Sequence, residues 1–583
     1  MDRKQQSRRH RTGSKHGFVP PRFGWNRARR TTVLTVFAFA LVSLSPAQAL
    51  GRGPEFAPAT EVATINGVPG LDEYETADMN GDGNTDVVVT RSYYPPAYET
   101  SPIGILLSDG HGGFRDGSDM YAGPAPTTEG PGQLVLADYN GDGRTDIFYA
   151  DSGYDASPFP GYQNRLVLST PDGKLVDASA NLPPASDFSH SATAADIDRD
   201  GDIDIYVGNI FGGDSPPYLL VNDGTGHFTR DDTRLPSQQT DRNQAVYTRS
   251  LFGDVNNDGT PDLVLGAAEN TSRSAVLLND GTGHFSLVPN ALPPKAFDST
   301  AITIALATLD VNADGKADLI AAYTQQTPFY VGRKLQVLIG AGDGTFADET
   351  AARLPAQDEG DAWIKSIRIA DLNNDGRLDF AGESPYGAPA QPALYIDNGG
   401  VYVIDRTGSP VQFFVFLDAN KDGREDIFSS VGGVSPCCPE HHYVQRQLRD
   451  DDGDGIPNDV DRCPVLARPA FNGCPGARLT SSGRLRLVHS RGRVNVASGI
   501  HASCPATGYS CAERASVKLR GRTLARLTRS LKPGQILSVD FKLTRTASLV
   551  LRRRRRSTLT VSVSVTGADG QTAKLVRHGS VRR

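Results

Sequence analysis

Beyond its first fifty residues the sequence lacks any stretch approaching the ~20 consecutive apolar residues that a membrane-spanning helix requires, so no transmembrane segment is expected in the mature chain. Cysteine is scarce, 6 in 583 residues. None lies near Ala49, where a lipid anchor would need one, and the Cys437-Cys438 doublet matches no common zinc spacing. Acidic residues nearly vanish from Ala477 onward, where about twenty-three Lys and Arg face only Glu513, Asp540 and Asp569. No Ser-His-Asp order, Gly-rich phosphate loop or closed zinc motif stands out, so the chain is not expected to be an enzyme. The basic run Arg552–Arg556 has no interleaved aromatic residue, which argues against specific nucleic-acid binding.

Turn formers are abundant instead: 61 Gly and 38 Pro, with 38% hydrophobic and 22% charged residues, describe a chain of many short strands and an all-β class. The N-terminus carries Arg27, Arg29 and Arg30, an apolar run from Val33 to Leu44, then Ala47-Gln48-Ala49. That order reads as a signal peptide over residues 1–49, giving a secreted or cell-surface protein in which the cysteines form local disulfides. The formal net charge of -7 conceals a basic start, an acidic middle and a basic end. A concentrated carboxylate region repels itself unless cations neutralise it.

One pattern, D-x-[DN]-x-D-G-x-x-D, recurs seven times at spacings of 56 to 61 residues, and 47 before the last copy. Its odd positions hold Asp78, Asn80, Asp82, Asn84 and Asp86; Asp138, Asn140, Asp142, Arg144 and Asp146; Asp196, Asp198, Asp200, Asp202 and Asp204; and Asp254, Asn256, Asp258, Thr260 and Asp262. The later copies hold Asp310, Asn312, Asp314, Lys316 and Asp318; Asp371, Asn373, Asp375, Arg377 and Asp379; and Asp418, Asn420, Asp422, Arg424 and Asp426.

An alternating segment precedes each loop and a β-rich run such as Ile147-Phe148-Tyr149 follows it, so each loop is a hairpin tip. A second hairpin signal follows within the repeat, clearest at Asn222-Asp223-Gly224-Thr225-Gly226 and Asn279-Asp280-Gly281-Thr282-Gly283. Two hairpins make four strands, the content of one propeller blade, so residues 50–448 are expected to form a seven-bladed β-propeller. Phe56 to Glu61 resembles the blade-ending Phe346 to Thr350 and is expected to supply the outer strand of the last blade, leaving no free edge.

Calcium takes six to eight oxygen ligands with tolerant geometry. Positions 1, 3 and 5 offer side-chain oxygens, position 7 a backbone carbonyl, and position 9 a closing carboxylate, while the glycine at position 6 permits the turn. Position 7 varies from Asn84 to Lys316 to Arg424, as carbonyl ligation predicts, whereas Asp is invariant among the copies at positions 1, 5 and 9. Turn propensity alone does not explain seven self-repelling clusters.

These loops, with the paired Asn-Asp-Gly-x-Gly-x-Phe turn, resemble the FG-GAP and VCBS repeat families and more distantly the propeller of integrin α subunits, over about Pro54 to Val444. The resemblance implies seven blades with calcium in the inter-strand loops and a role in adhesion or ligand recognition. The last repeat departs from it, having Cys437-Cys438-Pro439-Glu440-His441-His442-Tyr443 in place of the second hairpin. Those cysteines and histidines allow either a soft-metal site or disulfides. Residues 449–476 look like one thrombospondin type 3 repeat, which implies a calcium-stiffened linker with Asp450, Asp452, Asp454, Asn458 and Asp461 as ligands and Cys463 paired with Cys474.

From 477 to 583 alternating strands suit a small β-sandwich, with Cys504 and Cys511 closing a small loop. Its basic surface could dock an anionic cell-wall polymer. The sequence thus describes a calcium-binding extracellular scaffold that recognises a protein or glycan without catalysis. A carbohydrate-binding lectin and an extracellular polysaccharide lyase or hydrolase are the alternatives.

Overall fold

The computed structural model describes residues 54–65, 73–92, 99–210, 216–241, 246–267, 273–354, 357, 362–383, 393–405, 413–431, 440–448, 478–482, 484–490, 493–504, 510–532, 534–566 and 572–582. The segment 1–49 read as a signal peptide, the acidic stretch 449–476, Cys437, Cys438, Cys463 and Cys474 lie outside them.

Each acidic loop joins the first two strands of a four-stranded antiparallel sheet, and seven such sheets are described between Thr60 and Gln445. The first contains Glu73–Ala77, Asp86–Thr90, Gly104–Ser108 and Phe114–Asp116 in sequence order. Side chains alternate across a strand, so one strand serves two cores. In the second repeat Phe148 joins a cluster with Ile205 and Val207 of the third, while Ile147 and Tyr149 join Val88 and Ile105 of the first. This double packing explains why Asp146–Asp151 is buried along its whole length.

Every pair of successive sheets shares such a core, and the last meets the first through Phe413, Val415 and Phe428 against Tyr74, Val87 and Leu106. The first strands of successive repeats adjoin in sequence order, and Phe413–Leu417 returns to Glu73–Ala77. The arrangement is a β-propeller. Its last sheet is completed from the N-terminus, as expected: Thr60–Ile65 pairs with Glu440–Gln445, with Thr60 opposite Val444.

The pairing recasts the histidine motif, since Glu440–Gln445 is the third strand of the last sheet. His442 is fully buried, stacked on Phe428 at 5.5 Å and edge-on to Tyr74 at 6.4 Å. It packs in the core between the last and first sheets.

Arginines clasp the inner strands across the ring. Arg368 of the sixth repeat places Nη1 2.9 Å from Glu75 Oε1 of the first and Nη2 3.5 Å from Glu383 Oε2, and it donates to Tyr74 O at 2.8 Å. Lys365 Nζ lies 3.5 Å from Glu73 Oε1, both side chains buried.

Residues 478–582 form two further four-stranded sheets around one core containing Val496, Ile500, Val517, Val539, Phe541, Val561 and Val563. Cys504 and Cys511 are disulfide-bonded, as expected. The helix Arg545–Arg552 is capped by Thr544, whose Oγ1 accepts from Ala547 N, and the arginine run continues from its end into the strand Arg556–Thr566.

Candidate metal centres

The seven loops are nearly superimposable in their hydrogen bonding. The first aspartate accepts from the N–H of the sixth-position glycine in every copy, at 2.7–3.1 Å. The fifth accepts from the N–H of position 7 in every copy. The asparagine at position 3 accepts from the N–H of position 5 in the six copies that have one. Backbone amides therefore wind three oxygen-bearing side chains around six of the loops and two around the third.

This winding requires two left-handed residues, and the sequence revealed one. The glycine at position 6 has φ between 77° and 97°, but position 4 is left-handed as well: Arg199 at 63°, Asn257 at 61°, Ala313 at 57°, Asn374 at 56° and Lys421 at 58°. A side chain there costs about 1–2 kcal/mol, so the loop is held by its other bonds.

The ninth aspartate does more than face the loop. It is buried in all seven copies. One oxygen accepts an N–H at the end of the third strand, from Ser108, Ser169, Asn222, Asn279, Gly340, Asp397 and Gln447 in turn. In six copies the other accepts from the N–H of position 2. It fastens the loop to its sheet.

Burial, opposed by these donors and reinforced by repulsion from the first and fifth aspartates, pushes Asp86 and Asp262 up to about 6 and Asp379 and Asp426 up to about 7. Asp204 rises to about 7 through burial and repulsion from Asp198 and Asp200. A raised carboxylate favours the protonated fold, so its contribution is complete below the unfolded value near 4 and is lost as pH rises through 6–7. The chelated protein is accordingly expected to melt higher at pH 5 than at pH 8, and calcium is expected to close or reverse that gap. Melting curves at the two pH values, with chelator and with calcium, check both signs.

The third loop is the most acidic. One oxygen each of Asp196, Asp198 and Asp200 lie within 4.8 Å of one another. Arg234 balances the cluster from outside, with Nη1 2.8 Å from Asp198 Oδ2, leaving the buried Asp198 Oδ1 with no hydrogen-bond partner among the described residues. Asp202 is pushed up by desolvation and then by Asp200, Asp196, Asp223 and Asp198. An all-oxygen donor set, a surplus of negative charge and an orphaned buried carboxylate oxygen fit a hard cation such as calcium. Side chains at position 7 point to other tasks: Arg377 pairs with Asp397, and Lys316 Nζ lies 3.7 Å from Asp314 Oδ2.

Six of the seven loops are also tied to another repeat through the carbonyl at position 2. Asn222 Nδ2 donates to Tyr139 O at 2.8 Å, Asn279 Nδ2 to Ile197 O at 2.7 Å, Gly344 N to Val255 O at 3.1 Å and Arg377 Nη2 to Val311 O at 3.0 Å. Gln447 Nε2 donates to Leu372 O, and Gly112 N returns to Ala419 O of the last loop at 2.8 Å. Asn279→Ala removes donors from Ile197 O and Pro261 O together. It is expected to cost about 2–3 kcal/mol in urea unfolding.

Among the aromatic residues with a possible recognition role, Phe329, Tyr330 and Trp363 come together: Tyr330 lies 4.6 Å from Phe329 and 5.2 Å from Trp363 between ring centroids, and Phe329 is 58% exposed. Phe159 instead packs on Phe188.

The family model described as FG-GAP-like repeat matches residues 78–149, 138–207, 254–321 and 310–381, so the chain carries FG-GAP-like repeats. No curated protein matches the chain. Among solved structures, the extracellular domain of a B. thetaiotaomicron protein shares 11% identity at a TM-score of 0.38, covering 90% of this chain and 54% of its own. The chain thus spans about half the length of that protein. The Dos1 propeller shares 11% identity at a TM-score of 0.38 over 66% of this chain and 95% of its own. A protein from Lactobacillus plantarum shares 12% at a TM-score of 0.37 over 60% and 87%.

Proposed function

We propose that the chain is an exported, seven-bladed propeller whose loops hold calcium and whose opposite face recognises an extracellular protein or glycan without catalysis. The observation that carries the reading is the repetition of one hydrogen-bonded loop seven times, each winding a hard-oxygen donor set around its turn. Positions 1, 3 and 5 would hold the ion, the carbonyl of position 7 would complete the set, and the ninth aspartate would anchor it. Calcium would supply charge neutralisation and rigidity, not a reacting centre.

Rigid sheets and tied loops make the other end of the sheets a fixed platform, which is the place for recognition. The hairpin joining Asp318–Gln325 to Val331–Gly340 emerges there and carries Phe329, an apolar surface suited to stacking on a ligand. The fourfold strand content of each repeat and the return of the last sheet to the first support the seven-blade count, and the paired sheets of residues 478–582 support a small sandwich behind it.

A glycan and extracellular-protein array probed with the full chain in calcium and in chelator tests the reading. The expected result is ligand capture that requires calcium and is weakened at least tenfold by Phe329→Ala. Capture that is indifferent to calcium, or turnover of a polysaccharide on the array, would overturn it.

A further inference from the structure

The acid-poor C-terminal region arranges its charge in a way the arginine run does not suggest. Its second sheet runs Arg522–Leu531, Cys511–Leu519, Arg556–Thr566, Thr572–Arg582 across its width. Strict alternation sends Val517, Leu559, Val561 and Val563 into the core and leaves polar residues on the other side. That outer face carries Arg514, Lys518, Arg526 and Lys574, all exposed.

Register places them in rows separated by hydroxyls. Arg514 stands opposite Ser564, which stands opposite Lys574; Lys518 stands opposite Thr560, which stands opposite His578. Ser516 links Arg526 on one side to Ser562 on the other. Neighbouring strands are about 4.8 Å apart and alternate residues about 6.8 Å apart along a strand, so cations and hydroxyl donors recur at short, regular intervals over the face.

Among the described residues this sheet contains one acid, Glu513, and it points the other way. It is fully buried, with Oε2 2.7 Å from Arg529 Nε. The described strands of the sheet contain no Phe, Tyr or Trp, and the single imidazole of His578 on this face cannot supply a row of stacking platforms for successive bases. A four-stranded face, about 14 Å between its outer strands, is also too broad to enter the ~12 Å major groove of a duplex. What remains is recognition of closely spaced oxyanions by guanidinium, ammonium and hydroxyl donors.

We propose that this face docks a linear phosphodiester polymer that lacks bases, laid across the strands and held by Arg514, Lys518, Arg526 and Lys574. The docking is electrostatic and therefore salt-dependent, and it requires no calcium in the loops. The chain would then carry two separate binding ends, one for a ligand and one for an anionic surface polymer.

The test uses the full chain in calcium with immobilised poly(glycerol phosphate) over a range of sodium chloride, and double-stranded DNA and polygalacturonate as parallel probes. The expected result is tighter binding to poly(glycerol phosphate) than to either probe. Replacing the four cations together, Arg514→Ser, Lys518→Ser, Arg526→Ser and Lys574→Ser, is expected to weaken it more than tenfold and lower the log–log salt slope by about 3, at roughly 0.7 per phosphate contact. Because all four are exposed, an unchanged melting curve shows that the variant folds. The companion variant Arg553→Ser, Arg554→Ser, Arg555→Ser is expected to retain most of the affinity. Absent binding, equal binding by the fourfold variant, loss confined to the companion variant, or stronger binding to DNA or polygalacturonate would overturn the proposal. So would self-association of the chain that the fourfold variant abolishes while polymer binding is missing, since the face would then serve a second copy.

Discussion

Removing calcium is expected to lower the melting temperature of the full chain by about 10 °C or more, because filling a site contributes RT ln(1 + [Ca]/Kd) to stability. Extracellular calcium modules bind at about 0.1–1 mM, so at about 2 mM each loop contributes roughly 0.6–1.8 kcal/mol. Seven loops therefore contribute roughly 5–12 kcal/mol, comparable with the whole stability of an ordinary domain. The loops also share bonds: Asn279 of one repeat holds the loop carbonyl of Ile197 in the preceding one. Loss of metal in one loop should loosen its neighbour, giving one broad transition instead of seven independent ones. Limited proteolysis in chelator is expected to cut first between Asp450 and Asp461, a stretch of acidic sequence with few apolar residues to hold it. An unchanged melting temperature in chelator, with that stretch still protected, would contradict the calcium reading.

Arg368→Ala is expected to be the most damaging single substitution away from the loops. The guanidinium joins Glu75 of the first repeat to Glu383 of the sixth, bridging the junction between the two sheets that flank the last one. Burial raises both carboxyls, and Arg368 is the largest influence holding each of them down. Removing one partner of a buried ion pair costs about 3–5 kcal/mol, because the remaining charges are left desolvated. The deficit should be smaller at pH 5 than at pH 8, since Glu75 and Glu383 can then take up protons in the folded state. Urea unfolding at both pH values checks the size and the sign. A variant that unfolds like the parent at pH 8 would show that the junction does not depend on this clasp.

Much of this architecture was legible because its determinants are local. Glycine at position 6 and aspartate at positions 1, 5 and 9 mark each tip, and β-rich runs such as Ile147-Phe148-Tyr149 mark the strand that follows. The return of the N-terminus was legible in the likeness of Phe56 to Glu61 to an outer strand, though the paired strand lies slightly later, at Thr60–Ile65. Other features depend on contacts between distant residues, which spacing does not encode. Nothing around Arg368 announces that it reaches Glu75, 293 positions away. The packing of His442 against Phe428 and Tyr74 was likewise not legible from its place beside the cysteines in sequence.

The loops themselves were only partly legible. Left-handed backbone at position 4 went unseen because its residues are mixed: Gly81, Gly141, Asn257 and Asn374 favour that conformation, whereas Arg199, Ala313 and Lys421 carry no signal of it. The anchoring role of the ninth aspartate was hidden for a similar reason, since its partners are backbone N–H groups such as those of Ser108 and Asn279, which have no side-chain signature. The basic face of the C-terminal sheet needed the register of three strands before its cations could be assigned to one side.

The most direct measurement is the number of calcium ions bound per chain, by equilibrium dialysis of the full protein at about 2 mM calcium followed by elemental analysis. At a Kd of about 0.1–1 mM the account predicts roughly five to seven ions in the seven loops, and up to about one fewer when Asp254→Ala and Asp258→Ala are combined. No bound calcium, or an undiminished count in that variant, would contradict it.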